Sequence, residues 1–241
     1  MTKSYYGEIL DFRSRGQIWE EYRRAAEPFD PLVVEEIDCL LPMPDRSGVL
    51  IITEDDILIS EQSPLTTLQA FSFAHCFPDH KILSSALHDI GHFGKYKFPW
   101  ACPYFSLCPM EGGSNSVWIN PLKIENVHAY GGLHYVELLN GIKVAIPIQR
   151  YYALVRSEIA CGILAAIRQD HFHFSMYGDQ PMDYLDLPDT SFGRSLKKRP
   201  LLKTFITRKY EVHRRYQRAR FLHYYQELAE APQEIDWENW H

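Results

Sequence analysis

Apolar and polar positions change rhythm several times along the chain, and each rhythm predicts a different element. Residues 15 to 27, "RGQIWEEYRRAAE", carry a helical pattern that the Pro28 and Pro31 region must end. A loop rich in Pro and Asp, "LPMPDRSG", follows, and "GVLIITEDDILIS" then reads as two short strands joined by the acidic turn Glu54-Asp55-Asp56. Pro64 favours the first position of a helix in "PLTTLQAFSFAHCF", which Pro78 must end; the rest of 64 to 89 fits no single period. The clearest strand signal runs from 117 to 147. There Gly131-Gly132 and Asn140-Gly141 are expected as two-residue hairpin turns, because both need positive φ. Val136 and Leu138 alternate with Tyr135 and Glu137, and Ile142, Val144 and Ile146 alternate with Lys143 and Ala145, as in a meander with one buried face.

Beyond Pro147 the period becomes helical. Val155, Ile159, Ile163 and Ile167 recur every four residues with Ala160 and Leu164 alongside, predicting a buried helix near 148 to 168. "GDQPMDYLDLPDTSFGRS" is expected to be an irregular acidic loop. A second long helix is expected from about Leu201 to Ala231, packing through Ile206, Tyr210, Phe221, Tyr224 and Leu228. The predicted fold class is α+β: an antiparallel β meander packed by a buried helix and a basic C-terminal helix. Three regions are expected: an acidic, helical extension over 1–47, a β-rich domain over 48–170, and an acidic loop with the basic helix over 171–241.

Composition narrows the class. The 241 residues are 46% hydrophobic and 14% aromatic, enough for a real core. No run approaches 18 apolar residues, and the opening "MTKSYYGEILDF" lacks the apolar core of a secretion signal. Five cysteines without a C-x-x-C pair suit free thiols in a reducing cytoplasm. The net charge of -6 is unevenly distributed. Residues 194 to 220 hold 11 Lys/Arg against the single acid Glu211, leaving 14 basic against 30 acidic residues elsewhere. Such asymmetry suggests a polyanion-facing segment on an acidic body, or else a solvated helix neutralised by that body.

Enzyme motifs are fragmentary in this chain. The adjacent His88-Asp89 in "SSALHDIGHFGKYKFPW" matches the dyad of HD-type metal phosphohydrolases. That class also needs an upstream histidine on an earlier helix, a few tens of residues before the dyad. The first histidine here is His75, only 13 residues before His88 and beyond a proline. His171 and His173 would oppose each other on a helix, and Cys102 and Cys108 lack zinc-finger spacing. No G-x-S-x-G occurs, and "EGGSNS" lacks the lysine of a phosphate loop. "GKYKFPW", by contrast, interleaves Lys95 and Lys97 with aromatics that suit phosphate contact or a core. No catalytic, cofactor or metal residue is therefore assigned.

The order of segments resembles the ComK family of competence transcription factors. The resemblance runs through "ILISEQSPLTTLQAFSFAHCF", "IGHFGKYKFPWACPYFSLCP", "VWIN" and "VELLNGIKVAIPIQRYYALVRSEIACGILA", together covering about 50 to 170. It implies a cytoplasmic, nucleoid-associated activator of competence genes. Such a factor binds AT-rich duplex boxes as a homo-oligomer, mainly through the minor groove, with RNA polymerase a further partner and no membrane association. "SLCPM" departs from the family's Phe-Pro-Thr type turn, and the segment before "VLII" is additional. The expected DNA contacts, chosen mainly on charge, are Lys95, Lys97, Lys123, Arg150, Lys197, Lys198, Arg199, Lys203, Arg208 and Arg215. The alternatives are an HD-like metal phosphohydrolase using His88 and Asp89, a major-groove reader of the LytTR type, which the strand-rich 116 to 141 region also resembles, and a protein–protein module.

Overall fold

The structure is a computed structural model. It describes residues 8–44, 47–91, 93, 98–111, 116–171, 178, 180–206, 208 and 210–230. The fold is α+β, with two sheets and seven α-helices among the described residues. The larger sheet is built mainly of antiparallel pairs from the first half of the chain. Strands β2 (Glu27–Pro28), β3 (Cys39–Pro42), β4 (Val49–Ile52), β5 (Ile57–Ser60), β6 (Trp100–Ala101), β7 (Ser106–Pro109) and β8 (Trp118–Ile119) lie in the order β2-β5-β4-β3-β8-β7-β6. The smaller sheet contains β1 (Ile9–Leu10), β9 (Ile124–Tyr130), β10 (Leu133–Leu138) and β11 (Lys143–Ile146), in the order β1-β11-β10-β9. No described helix is long and apolar enough to cross a membrane.

Burial explains why the strands of the larger sheet do not alternate. Cys39 and Leu41 of β3, with Leu50 and Ile52 of β4, enter a core shared with the smaller sheet. Leu40, Val49 and Ile51 enter a second core on the opposite face. A sheet covered on both sides needs apolar residues at successive positions. The second core is closed by helix α2 (Pro64–Ala74), whose Phe71 lies 5.7 Å from Trp100 and 5.9 Å from Phe105 between ring centroids. Trp100 Nε1 donates to Ser72 Oγ at 2.9 Å, so the indole keeps its hydrogen bond inside the core. Ser63 starts α2 by accepting from the Thr66 amide, and Pro64 occupies the first turn, where its missing N–H costs nothing.

Helix α4 (Arg150–His171) runs through the middle of the molecule. Ala160 and Leu164 face the core between the sheets. The other flank, Ile159, Ile163 and Ile167, meets Leu83 and Leu87 of helix α3 (His80–Ile90) and Val212 of helix α7 (Glu211–Glu230). The helix predicted at 148 to 168 is therefore present and is packed on both flanks. Helix α3 lies in the stretch whose period was ambiguous; Asp79 caps it by accepting from the Ile82 amide, and Gly91 at φ 78° ends it.

The segment expected as a separate extension shares these layers. Strand β1 pairs with β11, β2 pairs with β5, and Trp19 and Tyr22 of helix α1 (Gln17–Ala25) are buried in the core between the sheets. The hairpin at Gly131-Gly132 is a two-residue turn with φ of 57° and 81°. The Asn140-Gly141 turn differs from expectation. Leu138 N donates to Ile142 O and Gly141 N to Leu138 O, so the loop spans three residues and only Gly141, at φ 82°, is left-handed.

The basic C-terminal helix also requires correction. A long helix, α7, is present in the expected span from about Leu201 to Ala231, but α6 (Pro200–Thr204) precedes it as a separate helix, and α5 (Ser191–Lys197) forms before both, beginning within the stretch read as irregular. Asp170, at the end of α4, accepts from the Tyr210 and His213 amides and anchors the break before α7, where Tyr210 adopts φ 63°. This break resets the helical phase. Val212 and Ala219 are buried with Tyr216 partly so, whereas Ile206 and Phe221 of the expected stripe are 62% and 67% exposed.

Candidate nucleic-acid interface

The first turn of α4 and the turn joining α5 to α6 form one surface. Thr190 caps α5 by accepting from the Gly193 amide and donates to Ile124 O, which ties the start of α5 to β9. Phe192 and Leu196 are buried beneath it, so Lys197 and Lys198 emerge at its exposed C-terminal end. Cations there also complement the helix dipole. Glu158, 5% exposed within α4, then fixes the next residues. It accepts from Arg199 Nε at 2.7 Å and from the Leu201 amide at 2.6 Å. The Arg199 guanidinium lies 5.8 Å from the centre of the Tyr151 ring, and Tyr151 and Tyr152 are 62% and 47% exposed. An aromatic pair thus stands beside a fixed run of cations.

The ten expected contact residues divide into distinct environments. Lys95 and Lys97 lie outside the described residues. Lys197, Lys198, Lys203 and Arg208 are exposed and make no ion pair among the described residues. The other four are engaged within the protein. Arg150 donates to Asn126 Oδ1, to Val127 O at 3.0 Å and to Ser195 Oγ at 3.2 Å, so it cross-links β9 to α5, and burial lowers its pKa. Arg199 is held by Glu158. Arg215 pairs with Glu211 at 2.8 Å, one helical turn away. That bond, with Arg214, holds the Glu211 carboxyl below its usual range. Lys123 is turned inward with a side chain 15% exposed, at 2.9 Å from Glu54 and 3.1 Å from Glu36. Charge counting treats all ten alike because it does not register which cations meet an internal partner.

Selection on charge also omitted exposed groups of α7. Arg218 is exposed, and Phe221 and Tyr225 beside it are exposed and stack at 6.2 Å between centroids. The i, i+4 spacing of the two aromatics is the available signal; the expected buried stripe took Phe221 but paired it with Tyr224 rather than Tyr225.

The metal alternative finds little in the geometry. His88 and Asp89 are exposed on the last turn of α3, and the described residues contain no group of three or more His, Cys, Asp or Glu that could hold a metal. Cys102 and Cys108 are buried thiols donating to Phe105 O and Ile119 O, and burial pushes both pKa values up to about 11. A thiol so placed is reluctant to become the thiolate that a metal binds. A scan against protein-family models, a search of curated proteins and a search of solved structures each find no match to the chain. Fold and surface together define an α+β protein whose described C-terminal cations lie on helices α5 to α7 and the turns between them, packed against a central helix.

Proposed function

We propose that the protein is a DNA-binding transcriptional activator of competence genes, acting by binding rather than catalysis. The observation that carries this reading is the exposed Lys197-Lys198 pair, held in place by the Arg199–Glu158 contact beside Tyr151 and Tyr152. Lys203 and Arg208 follow within ten residues of the pair. Cations on a fixed frame lose little conformational freedom on meeting phosphate, and each one neutralising a phosphate releases counterions. The ComK resemblance over about 50 to 170 adds the target class: AT-rich duplex, read mainly through a narrow minor groove whose potential attracts inserted Lys or Arg. It also adds a cytoplasmic, nucleoid-associated location, a homo-oligomer whose spacing matches paired boxes, and RNA polymerase as a partner. The acidic remainder of the chain opposes unspecific attachment, so affinity depends on these few cations.

The experiment is a shift assay on AT-rich and GC-rich duplexes at several ionic strengths. Binding should favour AT-rich duplex and fall with salt, at a slope of about -0.9 per phosphate neutralised. The double variant Lys197→Ala/Lys198→Ala should flatten that slope by about 1 to 2 and weaken all sequences alike. Absence of binding at low salt, or an unchanged slope in the variant, refutes the reading.

A further inference from the structure

Helix α7 buries one face and leaves the other exposed. Val212, Tyr216 and Ala219 turn toward α3, among Ile82, Leu83, Ala86 and Leu87, and Tyr216 Oη accepts from the Asp79 amide at 3.0 Å. At 3.6 residues per turn, Arg214, Arg218, Phe221 and Tyr225 fall within about 60° of one another on the opposite side. Both arginines are exposed, Phe221 and Tyr225 are 67% and 62% exposed, and Leu222 at the edge of the stripe is 45% exposed. Apolar side chains exposed together in this way mark an interaction surface.

The two halves of the stripe complement each other in reverse order. Cations occupy its N-terminal half and rings its C-terminal half. Arg218 and Phe221 are equally far from the midpoint between Ala219 and Arg220, and so are Arg214 and Tyr225. A twofold axis through that midpoint sets each Arg218 against the Phe221 of a second copy, and each Arg214 against its Tyr225. Guanidinium groups are attracted to aromatic faces, and α7 already uses this contact within one chain, where Arg220 lies 5.7 Å from the centre of the Tyr224 ring. No acid lies between Glu211 and Glu227, so a parallel copy would set arginine against arginine. A nucleic-acid strand suits the stripe less well, because it needs cations along the whole groove beside its stacking rings. Here cations and rings are segregated, and the rings stack on each other at 22° between planes.

We propose that α7 pairs antiparallel with α7 of a second copy of this chain, forming a twofold dimer through Arg214, Arg218, Phe221 and Tyr225. A patch that serves both partners closes on itself, which limits the assembly to two copies. The dimer gives the homo-oligomer of the proposed function its contact surface and rests on that reading only for its use, which is to set two Lys197-Lys198 pairs about one axis as paired boxes require. One helix pair is small against a standard interface of about 1,600 Å², so association should fall in the micromolar range.

The test is sedimentation velocity of the full chain, without DNA, over a micromolar concentration series. A reversible monomer–dimer equilibrium is the expected result. Arg214→Asp/Arg218→Asp and Phe221→Lys/Tyr225→Lys should each weaken it by about tenfold or more, with circular dichroism reporting the fold. Mixing the two variants should restore the dimer, because the new carboxylates then face the new ammonium groups while the remaining arginines still face rings. A chain that is monomeric throughout, folded variants that dimerise as the unaltered chain does, or a mixture that stays monomeric overturns the proposal. A monomeric chain whose variants lose DNA binding also overturns it and assigns the face to nucleic acid. The two readings fail separately: a dimer that binds no DNA removes the proposed function alone, and a monomer that binds AT-rich duplex removes this inference alone.

Discussion

Replacing Glu158 by Ala tests whether the turn carrying Lys197 and Lys198 is held as described. The carboxylate accepts from Arg199 Nε and from the Leu201 amide, and Arg199 also lies 2.7 Å away through its second guanidinium nitrogen. Hydrogen bonds to charged groups contribute about 1.5 to 3 kcal/mol each, and breaking a buried pair costs about 3 to 5 kcal/mol. The Arg199 side chain is 21% exposed, so its orphaned guanidinium can swing into water and recover part of its hydration. The Leu201 amide has no such freedom. The expected destabilisation is therefore about 3 kcal/mol, toward the lower end of that range. For a chain of this size the urea slope is about 3 kcal/mol per molar, so the midpoint should fall by about 1 M. Glu158→Gln keeps an acceptor and should lose roughly half as much. A double-mutant cycle with Arg199→Ala isolates the pair, and the coupling should be about 1.5 to 3 kcal/mol and persist in high salt, because burial limits screening. A midpoint shift below about 0.3 M, or a coupling near zero, would refute the claim that this contact anchors the basic turn.

Other expectations follow from the same geometry. Burial pushes Asp38 up to about 7, whereas in the unfolded chain it ionises near its ordinary value of 3.8. Between those values the folded form keeps a proton that the unfolded chain has lost, so this group's contribution to stability falls as pH rises through that window and levels off above 7. Asp38→Asn should therefore match the wild type in urea titrations near pH 4 and exceed it at pH 8 by about 1 to 3 kcal/mol. Gly193→Ala would drive a Cβ into the carbonyl of Pro188 at the start of α5. It should lower the thermal midpoint by several degrees, corresponding to about 2 kcal/mol or more in a chain this long. Leu164→Ala, in the fully buried stripe of α4, should cost about 2 to 5 kcal/mol in denaturant titrations.

Elements with local reasons were legible in the chain alone. The helix at α1, the β4–β5 hairpin, the Gly131-Gly132 turn and helix α4 follow from helix-ending prolines, positive-φ residues and the spacing of apolar side chains. The uneven charge was equally legible, because it is a property of composition. Tertiary contacts decided the rest. Leu50, Ile51 and Ile52 read as strand, but only the second core shows that both faces of their sheet are covered. The basic segment has a helical period throughout, and its division depends on Asp170, an acceptor 40 residues upstream that binds the Tyr210 amide. Arg150, Arg199 and Lys123 are ordinary cations in the sequence. What separates them from Lys197 and Lys198 is a partner brought close by folding: Asn126, Glu158 and Glu36 are 24, 41 and 87 positions away. Periodicity and composition describe a chain one neighbourhood at a time, whereas an ion pair or a cavity wall is set by which distant neighbourhoods meet.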